Sequence, residues 1–288
     1  MTRAIKILTD SSVQLTPAEI EKYNITIIPL SVELEGKQYI DGETITRPEL
    51  VEYLRRGILP KTSQPALGRF LDLYEQLTAD GSEVLAIMMA DFLSGTYKTA
   101  VAAAEMVDGK VTVINSKSTD RGMAFQVIAA AKDIAAGKSM DEIKAHLTDI
   151  WHRTQIDVLV DNLDALVAGG RISKVAGALT KIINIKVIVR VNNDGLGIYA
   201  KGRGRKLFLK HTKEIAKMHQ DNQIQALSLS NVATDPEFLQ RIKDNVLVNN
   251  VNKDIPYLAE LTSPIIMTHT GMNAVGLITL AEKPEKHE

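Results

Sequence analysis

Three short segments hold the residues best suited to chemistry: Lys61-Thr62-Ser63-Gln64-Pro65, Leu93-Ser94-Gly95-Thr96-Tyr97 and Thr268-His269-Thr270-Gly271. Each sets small hydroxyls or an imidazole where an apolar strand is expected to end. His269 in particular reads as the polar tip of the run Ser263-Pro264-Ile265-Ile266-Met267. Such groups hydrogen-bond carboxylates and phosphates. None of the three segments carries a nucleophile-activating partner nearby in sequence. The pattern points to holding a small anionic headgroup rather than breaking a bond. Each residue also has a plainer role: Thr62 and Ser94 suit helix caps, and His269 suits a satisfied core position. Cap and ligand site are compatible, because a helix N-terminus attracts anions.

Other chemistries find less support. No G-x-x-x-x-G-K-[ST] occurs, and no G-x-G-x-x-G follows a strand. Gly202-Arg203-Gly204-Arg205-Lys206 is a basic loop, readable as a solvated turn or as a partner or phosphate contact. Ser94 lacks the G-x-S-x-G elbow, so a hydrolase would need a triad assembled from distant positions. The six histidines show no H-x-x-x-H or H-E-x-x-H spacing, so no metal is expected. His146, His152, His211 and His219 read as surface residues.

Composition narrows the class further. The chain has 288 residues, is 45% apolar and carries a formal net charge of -1. It is long enough to bury a sizeable core. Its charge gives no global reason to bind nucleic acid. With no cysteine, disulfides, thiol catalysis and cysteine-held metals are excluded. Met1-Thr2-Arg3 leads into a strand-like run without a secretory pattern, and no apolar run approaches the roughly 20 residues of a membrane span. A cytoplasmic location is the expectation.

The elements that must position these residues alternate in the first half. Ala4–Leu8 reads as a strand ending in the polar turn Thr9-Asp10-Ser11-Ser12. Thr16-Pro17-Ala18-Glu19 is a capping box with proline at the first helical position. Ile25 to Val32 is strand-like, and Glu35-Gly36 predicts a hairpin turn into Lys37–Ile40. Thr46-Arg47-Pro48-Glu49 repeats the capping pattern, and a further helix is expected from Ser63-Gln64-Pro65 to Leu77. Val84–Met89 is apolar on both faces, as in a central parallel strand. Val111–Ile114 is the next strand, and Ser139-Met140-Asp141-Glu142 opens the helix of Trp151. This alternation predicts a parallel sheet with helices on both faces, with ligands beyond the carboxyl ends of its strands. Thr9 to Ser12, Asp91 to Ser94 and Asn115 to Ser118 fall at such ends. In the second half, Asp157–Val160, Ile185–Arg190 and the turn Asn192-Asn193-Asp194-Gly195 predict an α+β domain with antiparallel pairing. The expected domains are 1–155 and 156–288, with the charged tail after Ala281 expected to fray.

Taken in order, these segments resemble the DegV family. The resemblance rests on Thr9-Asp10-Ser11-Ser12, Pro29-Leu30-Ser31-Val32, Gly36 to Tyr39 before Asp41, and Thr62-Ser63-Gln64-Pro65. It continues through Ser94-Gly95-Thr96-Tyr97, Gly169-Gly170-Arg171-Ile172-Ser173, Asn184-Ile185-Lys186, Lys201-Gly202-Arg203 and Thr268-His269-Thr270-Gly271. One tetrapeptide would mean little, but this many in register are specific. The resemblance implies a two-domain α/β fold with a long-chain fatty acid buried between the domains. It assigns the carboxylate to Thr62, Ser94 and His269, with Ser63 and Gly95 adjacent. It further implies a non-catalytic acyl carrier that presents the carboxylate to a separate ATP-dependent fatty acid kinase. The acyl phosphate formed would feed phospholipid synthesis. Arg171 and Arg203 match positions that contact the kinase or the phosphate, and transient membrane-surface contact is a further expectation. The implied ligand is the fatty acid itself, with no cofactor. Two alternatives stay open: a lipid or acyl phosphate hydrolase using Ser94 and His269, and a lipid-sensing regulator. The sequence departs from the family pattern at Met272-Asn273, at Val187 where proline is usual, and in Asn115 to Gly122. The headgroup set is untouched by these departures.

Elementary energetics suit a lipid. Each buried methylene contributes ~0.8 kcal/mol, so a tail of roughly 15 could contribute about 12 kcal/mol before binding costs. A neutral headgroup hydrogen bond nets only about 1 kcal/mol. The tail should therefore dominate affinity, while the polar residues fix register and keep the carboxylate paired. Phe92, Leu93, Ile172, Val175, Leu179, Ile182 and Ile266 are candidates to line a tunnel, or equally to fill a core.

Overall fold

The computed structural model describes residues 4–171, 185–193, 195–221 and 223–283. The chain packs as two compact units. The first comprises Met1–Thr46, Pro60–Trp151 and Ser263–Ile265, and the second Arg47–Leu59, His152–Thr262 and Ile266–Glu288. The expected division at 155/156 is contiguous, whereas Arg47–Leu59 leaves the first half to join the second unit. There Arg47 Nη1 donates to the Leu261 carbonyl at 2.6 Å, an attachment with a sequence separation that no local pattern reveals.

In the first unit, β1 (Ile5–Asp10), β2 (Ile25–Ile28), β6 (Glu83–Met88) and β7 (Val111–Asn115) form a parallel sheet in the order β2-β1-β6-β7. The chain runs outward from β1 to β2, then returns to the other side of β1 for β6. The strand order thus reverses between β1 and β6, the place where open α/β sheets bind ligands. Ile28, Leu8, Val84, Ala86 and Met88 pack with Phe70 and Tyr74 of α3 (Leu67–Thr78) and with Ala100 and Ala103 of α4 (Thr96–Ala104). Helix α1 (Pro17–Tyr23) starts with the expected capping box: Glu19 N–H donates to Thr16 Oγ1 at 3.2 Å and Thr16 N–H to Glu19 Oε2 at 2.9 Å. Arg121, in α5 (Asp120–Ala135), grips the same Glu19 carboxylate with two hydrogen bonds of 2.7 Å. At α6 (Met140–Arg153), Ser139 and Glu142 also form a capping box.

A small antiparallel sheet adds β3 (Ser31–Leu34), β4 (Lys37–Ile40) and β5 (Lys61–Ser63) in the order β4-β3-β5. Pro29 divides the predicted Ile25–Val32 strand into β2 and β3, since proline cannot donate to a ladder. The β3–β4 hairpin turns on Glu35 and Gly36, both at positive φ (51° and 80°), the type I′ geometry.

In the second unit, six strands follow the order β10-β9-β8-β13-β11-β12. These are β8 (Thr154–Val160), β9 (Ile185–Asn192), β10 (Gly195–Arg203), β11 (Ile224–Asn231), β12 (Tyr257–Leu258) and β13 (Val275–Ala281). All pairings are antiparallel except β11 with β12. The predicted turn joins β9 to β10 with Asn192 opposite Gly195. Helix α2 (Arg47–Arg55) belongs to this unit by its contacts, and α7 (Asp164–Ala168), α8 (Lys206–Met218) and α9 (Pro236–Val246) lie within it. Phe208 and Ile215 of α8 and Phe238, Leu239 and Ile242 of α9 pack with Leu227, Leu229 and Leu277 of the sheet. The last helix, α10 (Pro264–Thr270), begins among first-unit residues and continues into the second. No helix among the described residues is long and apolar enough to cross a membrane.

Candidate functional site

The turn after β1 is a hub that fixes the loops around it. Thr9 Oγ1 donates to the Ile87 carbonyl at 2.8 Å, and Met89 N–H donates to Asp10 Oδ2 at 2.7 Å. Both bonds tie β1 to β6 at the strand-order reversal. Leu30 N–H donates to Ser11 Oγ at 3.1 Å, holding the start of β3. Ser12 donates to Asp10 Oδ1 through its hydroxyl (2.6 Å) and its N–H (3.0 Å), and Thr119 Oγ1 reaches Ser12 Oγ at 3.2 Å. Burial pushes the Asp10 carboxyl up from its ordinary range, opposed by these bonds from Ser12 and Met89. Thr9, Asp10 and Ser12 are wholly buried, so this segment positions its neighbours.

Just past β6, Ser94 and Gly95 are half-buried ahead of α4. Gly95 is the N-cap of α4, yet it is Ser94 Oγ that accepts the Thr96 N–H at 3.3 Å. Ser94 and Thr96 also share a hydroxyl hydrogen bond of 2.9 Å. The expected capping role of Ser94 is thus present one residue early.

Thr62 lies on β5, opposite Val32, and Ser63 stands opposite Ser31. Neither starts a helix; α3 begins at Leu67, because Pro65 disfavours helical backbone at Gln64 before it. Thr62 is half-buried and Ser63 exposed. Gln64 joins this strand to the Ser94 loop: its Nε2 donates to Thr99 Oγ1 at 2.5 Å. Its Oε1 occupies the space a Cβ at Gly95 would need. The Gly95 φ of -70° suits any residue, so a Cβ at Gly95 would act only by displacing the end of the Gln64 side chain. Two of the three predicted segments are brought together here.

His269 is not at a strand end. It sits in the last turn of α10, which Pro264 opens at the first helical position and Gly271 closes at φ 75°. A short apolar run such as Ile265-Ile266-Met267 reads equally as strand or buried helix from periodicity alone. Gly271 lies against α7, with a Cβ there 3.0 Å from Ala165 Cβ. Gly169, the C-cap of α7, leaves room for the imidazole: a Cβ on it would overlap His269 Nδ1. Arg171 Nη1 donates to the Gly169 carbonyl at 2.8 Å. Burial, with the Arg171 guanidinium acting in the same sense, lowers the His269 pKa to about 4. The ring is neutral at physiological pH and offers one N–H donor. His269, far from Gly169 and Arg171 in sequence, thus joins them in one local arrangement.

Arg203 ends β10, paired with Ile185, and lines a cavity considered below. Among the tunnel candidates, Phe92, Leu93 and Ile266 are half-buried, while Ile172, Val175, Leu179 and Ile182 lie outside the described residues, as do Ser173, Asn184 and the tail from 284.

Sequence reasoning missed a buried polar cluster. His211, expected at the surface, is 1% exposed, and its Nε2 lies 2.8 Å from Asp157 Oδ2. Arg190 grips the same carboxylate through Nε (2.6 Å) and Nη2 (2.8 Å) and stacks 3.9 Å from the Tyr199 ring centroid. Burial pushes the Asp157 carboxyl up, but bonds from Arg190 and His211 outweigh it and hold it below the usual range. The cluster locks α8 to β8, β9 and β10. Sequence pattern did not reveal this burial because Asp157, the partner 2.8 Å away, lies on a distant strand. Among the described residues no group of acidic or imidazole side chains is arranged to hold a metal.

The chain matches, over residues 4–282, a family model described as "Uncharacterised protein, DegV family". A DegV domain-containing protein of Streptococcus pneumoniae is 36% identical over 275 residues, covering 95% of this chain and 97% of the relative. A stearic-acid-binding protein of Eubacterium ventriosum has a similar structure, with a TM-score of 0.83 at 25% identity, covering 96% of this chain and 98% of that one. A Thermotoga maritima protein whose structure is described as revealing fatty acid binding aligns with a TM-score of 0.80 at 26% identity, over 98% of this chain and all of its own. A parallel-sheet unit followed by an α+β unit, and family motifs falling on the hub, the Ser94 loop and the Gly169–His269 contact, agree with that match, and the chain belongs to the DegV family.

Proposed function

We propose that this protein is a fatty-acid carrier. It binds one long-chain fatty acid, with the carboxylate held by Thr62, Ser94 and His269. Ser63 and Gly95 complete the polar surround. The observation that carries the reading is the His269 imidazole fitted against Gly169 beside Arg171, in a chain similar to a stearic-acid-binding protein. A neutral imidazole donates one hydrogen bond to a carboxylate without presenting a second buried charge.

In this reading the protein performs no bond-breaking step. It presents the carboxylate to a separate ATP-dependent fatty acid kinase, which forms the acyl phosphate for phospholipid synthesis. Arg171 and Arg203, both exposed, contact that kinase or the phosphate it transfers. The setting is cytoplasmic, with transient delivery at a membrane surface. Pairs of variants test the division of labour. Thr62→Ala and His269→Ala are expected to fold, to bind the acid less tightly and to fail in acyl phosphate production with the kinase. Arg171→Ala and Arg203→Ala are expected to keep the lipid and lose the kinase. Normal binding and normal acyl phosphate production by both Thr62→Ala and His269→Ala would overturn the site.

A further inference from the structure

A cavity of about 700 Å³ opens in the second unit, within the range of small-ligand sites. Arg203, Arg205, Lys206 and Arg241 line it together with Asp235 and Glu237. Two of these charges are already engaged. Arg205 Nε donates to Asp161 Oδ1 at 3.3 Å while Lys186 takes the other oxygen at 3.1 Å, and the Arg205 guanidinium lies 4.7 Å over the Phe238 ring. Asp235 Oδ1 accepts the Glu237 N–H as the N-cap of α9. Among the described residues, Arg203, Lys206 and Arg241 form no ion pair. Three unneutralised cations and one free carboxylate, Glu237, therefore border a single concavity.

A merely solvated surface would spread such charges apart; here they converge from β10, α8 and α9. An anion among them relieves their mutual repulsion. Guanidinium forks match phosphoryl oxygens in pairs, and a lysine beside them adds a point charge. Glu237 argues against a long polyanion and suits a hydroxyl donor. We propose that this cavity binds a phosphate group, with its oxygens on Lys206, Arg241 and Arg203 and any hydroxyl-bearing portion toward Glu237. The proposal does not rest on the fatty-acid reading. Arg203 is shared with the kinase contact proposed above; Lys206 and Arg241 are not.

The test titrates the isotope-labelled full chain with inorganic phosphate and with adenosine monophosphate, at constant ionic strength, while recording backbone amide shifts. Saturable shifts confined to residues 203–209 and 235–241 are expected. Lys206→Ala and Arg241→Ala, both exposed positions, should each weaken binding roughly fivefold or more. Lys144→Ala, an exposed lysine of the first unit, should leave it unchanged. Tighter binding of the nucleotide identifies a phosphate ester as the ligand, and equal binding identifies free phosphate; either supports the site. Shifts that never saturate, that scatter over all basic residues, or that survive both variants would overturn it.

Discussion

Replacing Gly169 by alanine tests whether His269 sits in a slot built for it. Gly169 has φ -69° and ψ -17°, a backbone any residue adopts, and its N–H donates to the Ala165 carbonyl at 2.8 Å. In such a backbone a glycine-to-alanine change usually stabilises by about 0.4–1 kcal/mol, by narrowing the unfolded ensemble. Here the new methyl would overlap His269 Nδ1 and lie 3.3 Å from Cε1. The ring must swing aside or α7 and α10 must part, and overpacking of this kind costs roughly 1–3 kcal/mol. The net expectation is a loss of about 1 kcal/mol. With His269→Ala already present the imidazole overlap is gone and only the Ala165 carbonyl, 3.1 Å from the new Cβ, stays close, so the cost should fall to about zero. The penalty is thus tied to the imidazole. Urea unfolding of the four proteins, compared at equal slope, measures it. Fatty-acid affinity measured alongside should fall in Gly169→Ala as the displaced imidazole leaves the carboxylate. Equal effects in both backgrounds, with a coupling below about 0.5 kcal/mol, would refute the slot.

Other perturbations follow from the same geometry. His269 is held at about 4 against an ordinary 6.5, so its neutral form stabilises the fold fully above pH 6.5. That contribution, about 3 kcal/mol, is lost as pH falls from about 6.5 to about 4. His269→Gln should flatten this part of the stability–pH curve, and an unchanged curve would contradict the assignment. Gly95→Ala should cost about 1 kcal/mol by expelling Gln64 from its bond to Thr99. In a Gln64→Ala background that cost should vanish, and a persisting penalty in urea unfolding would show that the Ser94 loop is not held this way. Asp10→Asn places an amide N–H₂ against the donors of Met89 or Ser12 and should destabilise by about 1–3 kcal/mol. An unchanged unfolding midpoint would remove the hub from the account.

Much of the first unit was legible because its signals are local. The Thr16 and Ser139 capping boxes, the Glu35-Gly36 turn and the doubly apolar Val84–Met89 run each state their structure within a few residues. The ends of β1, β6 and β7 fell where polar turns follow apolar runs. Long-range partnerships were not legible. His211 read as a surface residue among lysines, because Asp157 and Arg190 lie on other strands. Thr62 read as a helix start, because pairing with Val32 depends on a strand brought back from earlier in the chain. His269 stood out by its residue type, but its helix did not, since seven residues hold too little periodicity to separate strand from helix. The need for Gly169 and Gly95 is a matter of which side chain faces them. The sequence hinted at it only through the glycine pair at 169–170 and the small residue after Ser94.

Native mass spectrometry of the purified full chain, followed by solvent extraction and lipid identification, tests the central claim most directly. The account predicts a one-to-one adduct with the mass of a long-chain fatty acid, lost or weakened in His269→Ala. A clean unliganded mass that takes up no fatty acid on titration would contradict it.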